Sequence, residues 1–401
     1  MDGQPPPTKA SPVSPTTHPY DDITVDQLRR IGSVKWSAFP DRIGAFVAEM
    51  DFPVAPPITR ALHEAVDVGA FGYLPEATSR AMSEAFASWS AARYDWAVDP
   101  ADVHALPDVI AALDLAIDHF SAPGSAIVLP TPAYMPFLTV PLAHGRRVIQ
   151  VPLARDGERW VYDLDALDRA FADGGGLLVL CNPHNPIGKV LTADEMAAIG
   201  EVVERHGARV FSDEIHAPLV YPGRRHVPYA SVNEVTAGHT LTATSASKAW
   251  NLPGMKCAQV VVSNPADRER WAADGRMWEH GAANLGVVAT TAAYAEGGPW
   301  LDGVLDYLDG SRRLLADLVA EHLPGVRYTA PDGTYLAWLE CTALDLPTAP
   351  AAFFAERAGI ATTDGGLCGD VGRTALRYNF ATPRPIMRDA LAAMGAALRA
   401  R

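Results

Sequence analysis

The chain has 401 residues, of which 48% are hydrophobic and 20% charged, with a formal net charge of −14. That length suits two domains, or one large α/β domain with a smaller partner. The acidic balance argues against nucleic acid and anionic membrane as partners, and no apolar run approaches the ~20 residues a membrane helix needs.

Residues 1–20 are rich in Pro, Thr and Ser without an apolar period, which predicts a disordered leader. The leader has neither a hydrophobic signal core nor an arginine, so the expected location is the cytoplasm. The four cysteines, Cys181, Cys257, Cys341 and Cys368, lack metal spacing. They read as reduced thiols, and no metal is expected. Residues 36–57 carry several prolines and are predicted to be extended. Ile58 to Val68 reads as a helix ending at Gly69, followed by Phe71-Gly72-Tyr73-Leu74-Pro75.

Ala105 to Ile110 opens a helix whose apolar stripe is Val109, Ile110, Leu113 and Ile117. Asp108 is a good N-cap there. The free N–H groups at such a start make an anion site, so the Asp108 carboxylate is expected to point away from any phosphate. Strands are predicted at residues 125–129 and 147–151, with Tyr134 just past the end of the first, where ligands bind in open α/β sheets. Leu177 to Leu180 reads as a buried parallel strand ending in Cys181-Asn182-Pro183-His184-Asn185-Pro186-Ile187-Gly188. A helix follows, with Thr192 and Glu195 as a capping box. The next strand, residues 208–212, ends in Asp213-Glu214-Ile215-His216.

The run from His239 to Thr244 leads into Ser245-Ala246-Ser247-Lys248, and Lys256 follows after a turn at Pro253-Gly254. A lysine at the end of a buried strand has a depressed pKa and a nucleophilic amine, as a Schiff-base lysine requires. Ser245, Ser247 and Lys256 can hold a phosphate. Beyond a strand at 258–262 come a long amphipathic helix (301–323), strands at 326–329, 334–339 and 375–380, and helices at 351–358 and 386–399.

The order Asp108/Val109, Tyr134, Asn185, Asp213 with His216, Ser245 to Lys248, Lys256 and Arg377 resembles fold-type I pyridoxal 5′-phosphate (PLP) enzymes of the class I/II aminotransferase superfamily. Ala48-Glu49-Met50-Asp51-Phe52, Phe71-Gly72-Tyr73, Gly333-Thr334-Tyr335-Leu336-Ala337-Trp338-Leu339 and Leu376-Arg377-Tyr378-Asn379-Phe380-Ala381 are similar to the MalY/PatB-type cystathionine β-lyase (C–S lyase) branch. The resemblance implies an α/β fold, with a mostly parallel mixed sheet between helices in a large domain, and a smaller α+β domain. The expected division is a leader at 1–20, an N-terminal segment at 21–60 that packs with the small domain, a PLP-binding domain at 61–295 and a small domain at 296–401.

The resemblance also implies roles. Lys248 carries PLP and moves protons at Cα, Asp213 pairs with the pyridine nitrogen, Asn185 and His216 bond the phenolic oxygen, and Tyr134 stacks on the ring. The N–H groups near Asp108 and Val109, Ser245, Ser247 and Lys256 take the phosphate, with Tyr73 added from the partner subunit of a homodimer. Arg377 holds the substrate carboxylate, with Glu49, Tyr134 and Asn185 also facing substrate. Phe46, Glu49 and Asp108 depart from the family's usual Trp, Asp and Gly or Ser. The implied reaction is β-elimination from a cysteine thioether to thiol, pyruvate and ammonia. Transamination and decarboxylation-coupled deamination are the alternatives.

Overall fold

In a computed structural model, residues 18–401 are described, and most of the expected leader, residues 1–17, lies outside them. The large sheet has seven strands in the order Val103–Leu106, Ala258–Val262, Thr240–Thr244, Arg209–Asp213, Gly175–Cys181, Ala126–Thr131 and Val148–Pro152. All run parallel except Ala258–Val262, which is antiparallel to both neighbours.

These strands are apolar on both faces, so helices cover both. Ile127, Leu129, Leu177, Val179, Phe211 and Leu241 pack on one side with Leu113 and Ile117 of the helix Val109–His119. Val128, Leu178, Leu180 and Val210 pack on the other with Met196, Ile199 and Val203 of the helix Ala193–Arg205. Period-two alternation along each strand sends successive side chains to opposite layers. The Thr192 hydroxyl accepts from Glu195 N–H and the Glu195 side chain accepts from Thr192 N–H, so the capping box forms as read.

A second sheet of five strands runs Ile43–Ala45, Ile360–Asp364, Ala375–Asn379, Leu336–Glu340, Arg327–Tyr328. Its first strand comes from the N-terminal segment and pairs in parallel with the second, Ile43 opposite Ile360. Arg377 lies on the central strand of this sheet.

Several expectations are corrected. His18 to Tyr20, assigned to the leader, are packed: Tyr20 stacks on Phe52 with centroids 4.5 Å apart, and His18 lies against Tyr307. Their aromatic rings have apolar partners that a composition reading does not see. Residues 34–37, including Trp36 of the expected extended run, make a helical turn. Ala105 and Leu106 belong to a strand, and the helix starts only at Val109. The helix Glu76–Tyr94 carries only a weak apolar stripe, so periodicity does not reveal it.

Candidate active site

The parallel strands of the large sheet deliver their C-terminal ends to one edge. Asp108 follows Val103–Leu106, Tyr134 follows Ala126–Thr131, Asn185 follows Gly175–Cys181, Asp213 ends Arg209–Asp213, and Ser245 to Lys248 follow Thr240–Thr244. All of these line one cavity of about 730 Å³, together with Val109, His216, Ser247, Lys256 and Arg377. The residues from Asp108 to Lys248 thus converge because parallel strands place their ends together, the usual ligand position in open α/β sheets, whereas Arg377 reaches the cavity from the second sheet.

Lys248 Nζ donates to the Ala48 carbonyl at 3.0 Å. Burial and the nearby Arg377 charge pull its ammonium pKa down to about 8. Burial pushes the Asp213 carboxyl up to about 6, even though Ile215 N–H and the Cys181 thiol bond to it. Burial also holds His216 neutral, with its pKa lowered to about 3. His216 Nδ1 and Arg377 Nε are buried with no hydrogen-bond partner. The other Arg377 nitrogens bond Asn185 Oδ1 (3.1 Å), the Phe46 carbonyl (2.7 Å) and Thr363 Oγ1 (3.1 Å). Buried polar atoms without partners are costly, so two of them on residues that line one cavity mark a place for a polar ligand.

At the far end Ser245 Oγ donates to the Cys257 carbonyl and accepts from Ser247 N–H. Asp108 caps its own helix through Ala111 N–H, and its other oxygen meets Lys256 Nζ at 2.8 Å. Burial opposes its charge, yet the Lys256 and Ala111 bonds outweigh it and hold the carboxyl below the ordinary carboxylate range. The carboxylate therefore does not point away from the anion corner, as expected, but sits in it. A lysine eight residues past Lys248 offered it a partner that spacing could not foretell. Lys256 and Asn251 of the intervening turn both adopt left-handed backbone, with φ of 51° and 58°. Such conformations cost about 1–3 kcal/mol each and persist where the surroundings enforce them.

Glu49 stands elsewhere than expected, and Tyr73, expected to serve a partner subunit, lies outside its own chain's cavity. The Glu49 side chain lines a neighbouring groove with Asp51, Asn251 and Pro253 and not the cavity, although its charge still raises the Lys248 pKa. Tyr73 is 92% exposed, with its ring parallel to that of His280, and is not part of the cavity wall.

The role of the strap at residues 46–52 comes from bonding. Arg377 holds the carbonyl of Phe46, Asn379 those of Val47 and Glu49, Tyr335 and Lys248 that of Ala48, and Asn251 those of Met50 and Phe52. Behind it, Lys35 Nζ meets Asp51 at 2.8 Å, and Trp36 Nε1 donates to the same carboxylate at 2.7 Å. The only sequence signal for this knot was a Lys-Trp pair near an Asp inside an apolar segment.

A nucleophilic lysine, a buried carboxylate able to face a cationic ring nitrogen, a neutral histidine with a free ring nitrogen and a helix N-terminus beside Lys256 fit PLP. Fold and site together define a fold-type I PLP-dependent enzyme. The sequence model described as aminotransferase class I and II matches residues 47–393, and the chain belongs to that family. It is 38% identical over 370 residues to the cystathionine beta-lyase of Corynebacterium glutamicum, covering 92% of this chain and 97% of that protein. It is 31% identical to the cystathionine beta-lyase PatB of Bacillus subtilis, across 91% of this chain and 96% of that one. The PLP-bound C–S lyase structure from Staphylococcus hominis aligns with a TM-score of 0.87 at 26% identity, covering 96% of this chain and 99% of that chain.

Proposed function

We propose that the protein is a PLP-dependent C–S β-lyase that splits a cysteine thioether into a thiol, pyruvate and ammonia, with one water consumed. The observation that carries the reading is the placement of Arg377 and Lys248 on one cavity, with Arg377 Nε still unpartnered. The relatives named as cystathionine and C–S lyases support elimination over transamination.

Bound PLP supplies an electron sink that stabilises negative charge at the substrate Cα. Lys248 is the residue assigned to hold it, and its lowered pKa provides a neutral amine close to physiological pH. Asp213, buried and drawn toward its neutral form by desolvation, is the residue that would hold the ring nitrogen, and a positive charge there would restore its own. Asn185 and His216 are assigned to the phenolic oxygen, Tyr134 to the ring face, and Val109 N–H, Ser245, Ser247 and Lys256 to the phosphate. The Arg377 guanidinium forks onto the substrate carboxylate and so sets which Cα bond faces Lys248. The Lys248 amine takes the Cα proton, and the C–S bond breaks with its electron pair leaving on sulfur.

Holoenzyme incubated with an S-substituted cysteine is expected to release pyruvate and thiol in equal amounts over many turnovers, without an added keto acid. Arg377→Ala should lower kcat/KM at least ~10-fold, since a lost charge-assisted pair costs about 2–5 kcal/mol. A reaction that stops after one turnover and resumes with a keto acid would make the protein an aminotransferase instead.

A further inference from the structure

We propose that Asp364 reads the leaving half of the substrate, taking an ammonium carried on the arm beyond sulfur. The inference rests on the lyase reading and deepens it by naming the group that arm carries. The charged side chains of the cavity wall are Lys248, Lys256, Arg377, Asp108, Asp213 and Asp364. In the assignment above Lys248 and Asp213 serve the cofactor, Lys256 serves its phosphate beside Asp108, and Arg377 serves the α-carboxylate. Asp364 is the charge of this wall with no part in that assignment, and among the described residues no cation is paired with it.

Local structure holds the carboxylate in place. Asp364 ends the strand Ile360–Asp364 and caps the short helical turn Gly365–Cys368, with Oδ1 accepting from Gly366 N–H at 2.9 Å. One oxygen is thereby fixed, and among the described residues the other has no hydrogen-bond donor. Thr363, one residue back, stands opposite Arg377 across the sheet and accepts from it through Oγ1 at 3.1 Å. Consecutive Cα atoms are about 3.8 Å apart, so the acid lies one short step from the fork assigned to the α-carboxylate. Burial pushes the Cys368 thiol up to about 11, with Arg377 acting against that rise and Asp364 adding to it, so both charges lie near one sulfur.

The mouth around it suits a short arm with a charged tip. Phe39 and Leu367 line the same cavity and are 41% and 59% exposed, and Leu367 belongs to the turn that Asp364 caps. Methylenes of the arm rest on these apolar side chains, which leaves the tip to Asp364. An acid without a partner attracts a cation and disfavours an anion at the same place. Among the described residues the cations of the wall are already engaged in the assignment, so a carboxylate on the same arm stays toward water. The amino group, and not the carboxylate, is therefore what the cavity reads on the leaving half.

The test on the holoenzyme compares L-cystathionine with S-(3-aminopropyl)-L-cysteine and S-(3-carboxypropyl)-L-cysteine, whose arms carry both charged groups, the ammonium alone and the carboxylate alone. Thiol and pyruvate are both assayed, and affinities for the same compounds are read from changes in the cofactor absorbance. Cystathionine and the aminopropyl compound should exceed the carboxypropyl compound about fivefold in kcat/KM, carried by KM, as one half-buried ion pair allows. Raising the salt concentration should narrow that gap. Asp364→Asn keeps an oxygen for Gly366 N–H and removes the charge, so its aminopropyl-to-carboxypropyl ratio should fall to about one. A carboxypropyl compound equal to or better than the aminopropyl one, or a ratio that Asp364→Asn leaves unchanged, overturns the inference. If no compound yields pyruvate, the lyase reading falls, and the affinity ratio in the two proteins then decides the role of Asp364 by itself.

Discussion

At Lys248 one side chain has to satisfy two demands, being buried enough to lose its proton and placed to meet a ligand. Burial comes first among the causes of its lowered pKa, with the Arg377 charge second, while Glu49 and Asp213 act against them. Only the neutral amine attacks a carbonyl. Covalent capture of PLP by the apoprotein should therefore accelerate as pH rises from 7 and level off above about 8. Stopped-flow absorbance would show it, and a midpoint near the ordinary lysine value would refute the environment described. In Arg377→Met a neighbouring positive charge is gone, so the midpoint should move to higher pH. Asp108 shows the limit of reading single residues. Its capping role follows from its place before an apolar helix, whereas its ion pair with Lys256 depends on a strand connection 148 residues away.

The strap at residues 46–52 lacks regular secondary structure over most of its length, and side chains from remote elements satisfy its carbonyls. Its anchor is the pair Lys35–Asp51, with side chains 0% and 2% exposed. Lys35 also donates to the Ala381 and Glu49 carbonyls. Taking away one partner leaves the other charge buried, at a cost of about 3–5 kcal/mol. Asp51→Ala should therefore lose that much stability in urea unfolding, and Lys35→Met/Asp51→Leu should recover most of it. A loss below ~1 kcal/mol in Asp51→Ala would mean that the pair does not anchor the strap. Because Ala48 and Phe46 touch Lys248 and Arg377, the damaged variant should also bind PLP more weakly.

On the scale of the whole molecule, the surface around Tyr73 is the feature a single chain leaves unexplained. Val68, Phe71 and Tyr73 are 80%, 66% and 92% exposed within a few residues of one another. Single exposed apolar residues are ordinary, but a contiguous set marks an interaction surface. We propose that this surface is covered by a second copy, with Tyr73 reaching the partner's phosphate corner, in a homodimer burying at least the ~2,000 Å² typical of obligate interfaces. Sedimentation at assay concentration should show two chains, and Tyr73→Ala should weaken PLP affinity without dissociating them. A fully active monomer would end this proposal.

From the residues alone came the strand ends, the capping box and the order of polar residues along the chain. These are local, set by periodicity of two or of 3.6 and by caps that act within one turn. The family likeness rests on the same order, since residues such as Asn185, Asp213 and Lys248 keep their place relative to strand ends. Only the tertiary structure decided that Asp108 turns toward Lys256, that Glu49 leaves the cavity, that Tyr20 packs on Phe52 and that an irregular strap carries the wall between Arg377 and Lys248. Those outcomes depend on which side chains meet across long sequence separations, and a contact between residues 46 and 377 leaves no periodic trace near either one.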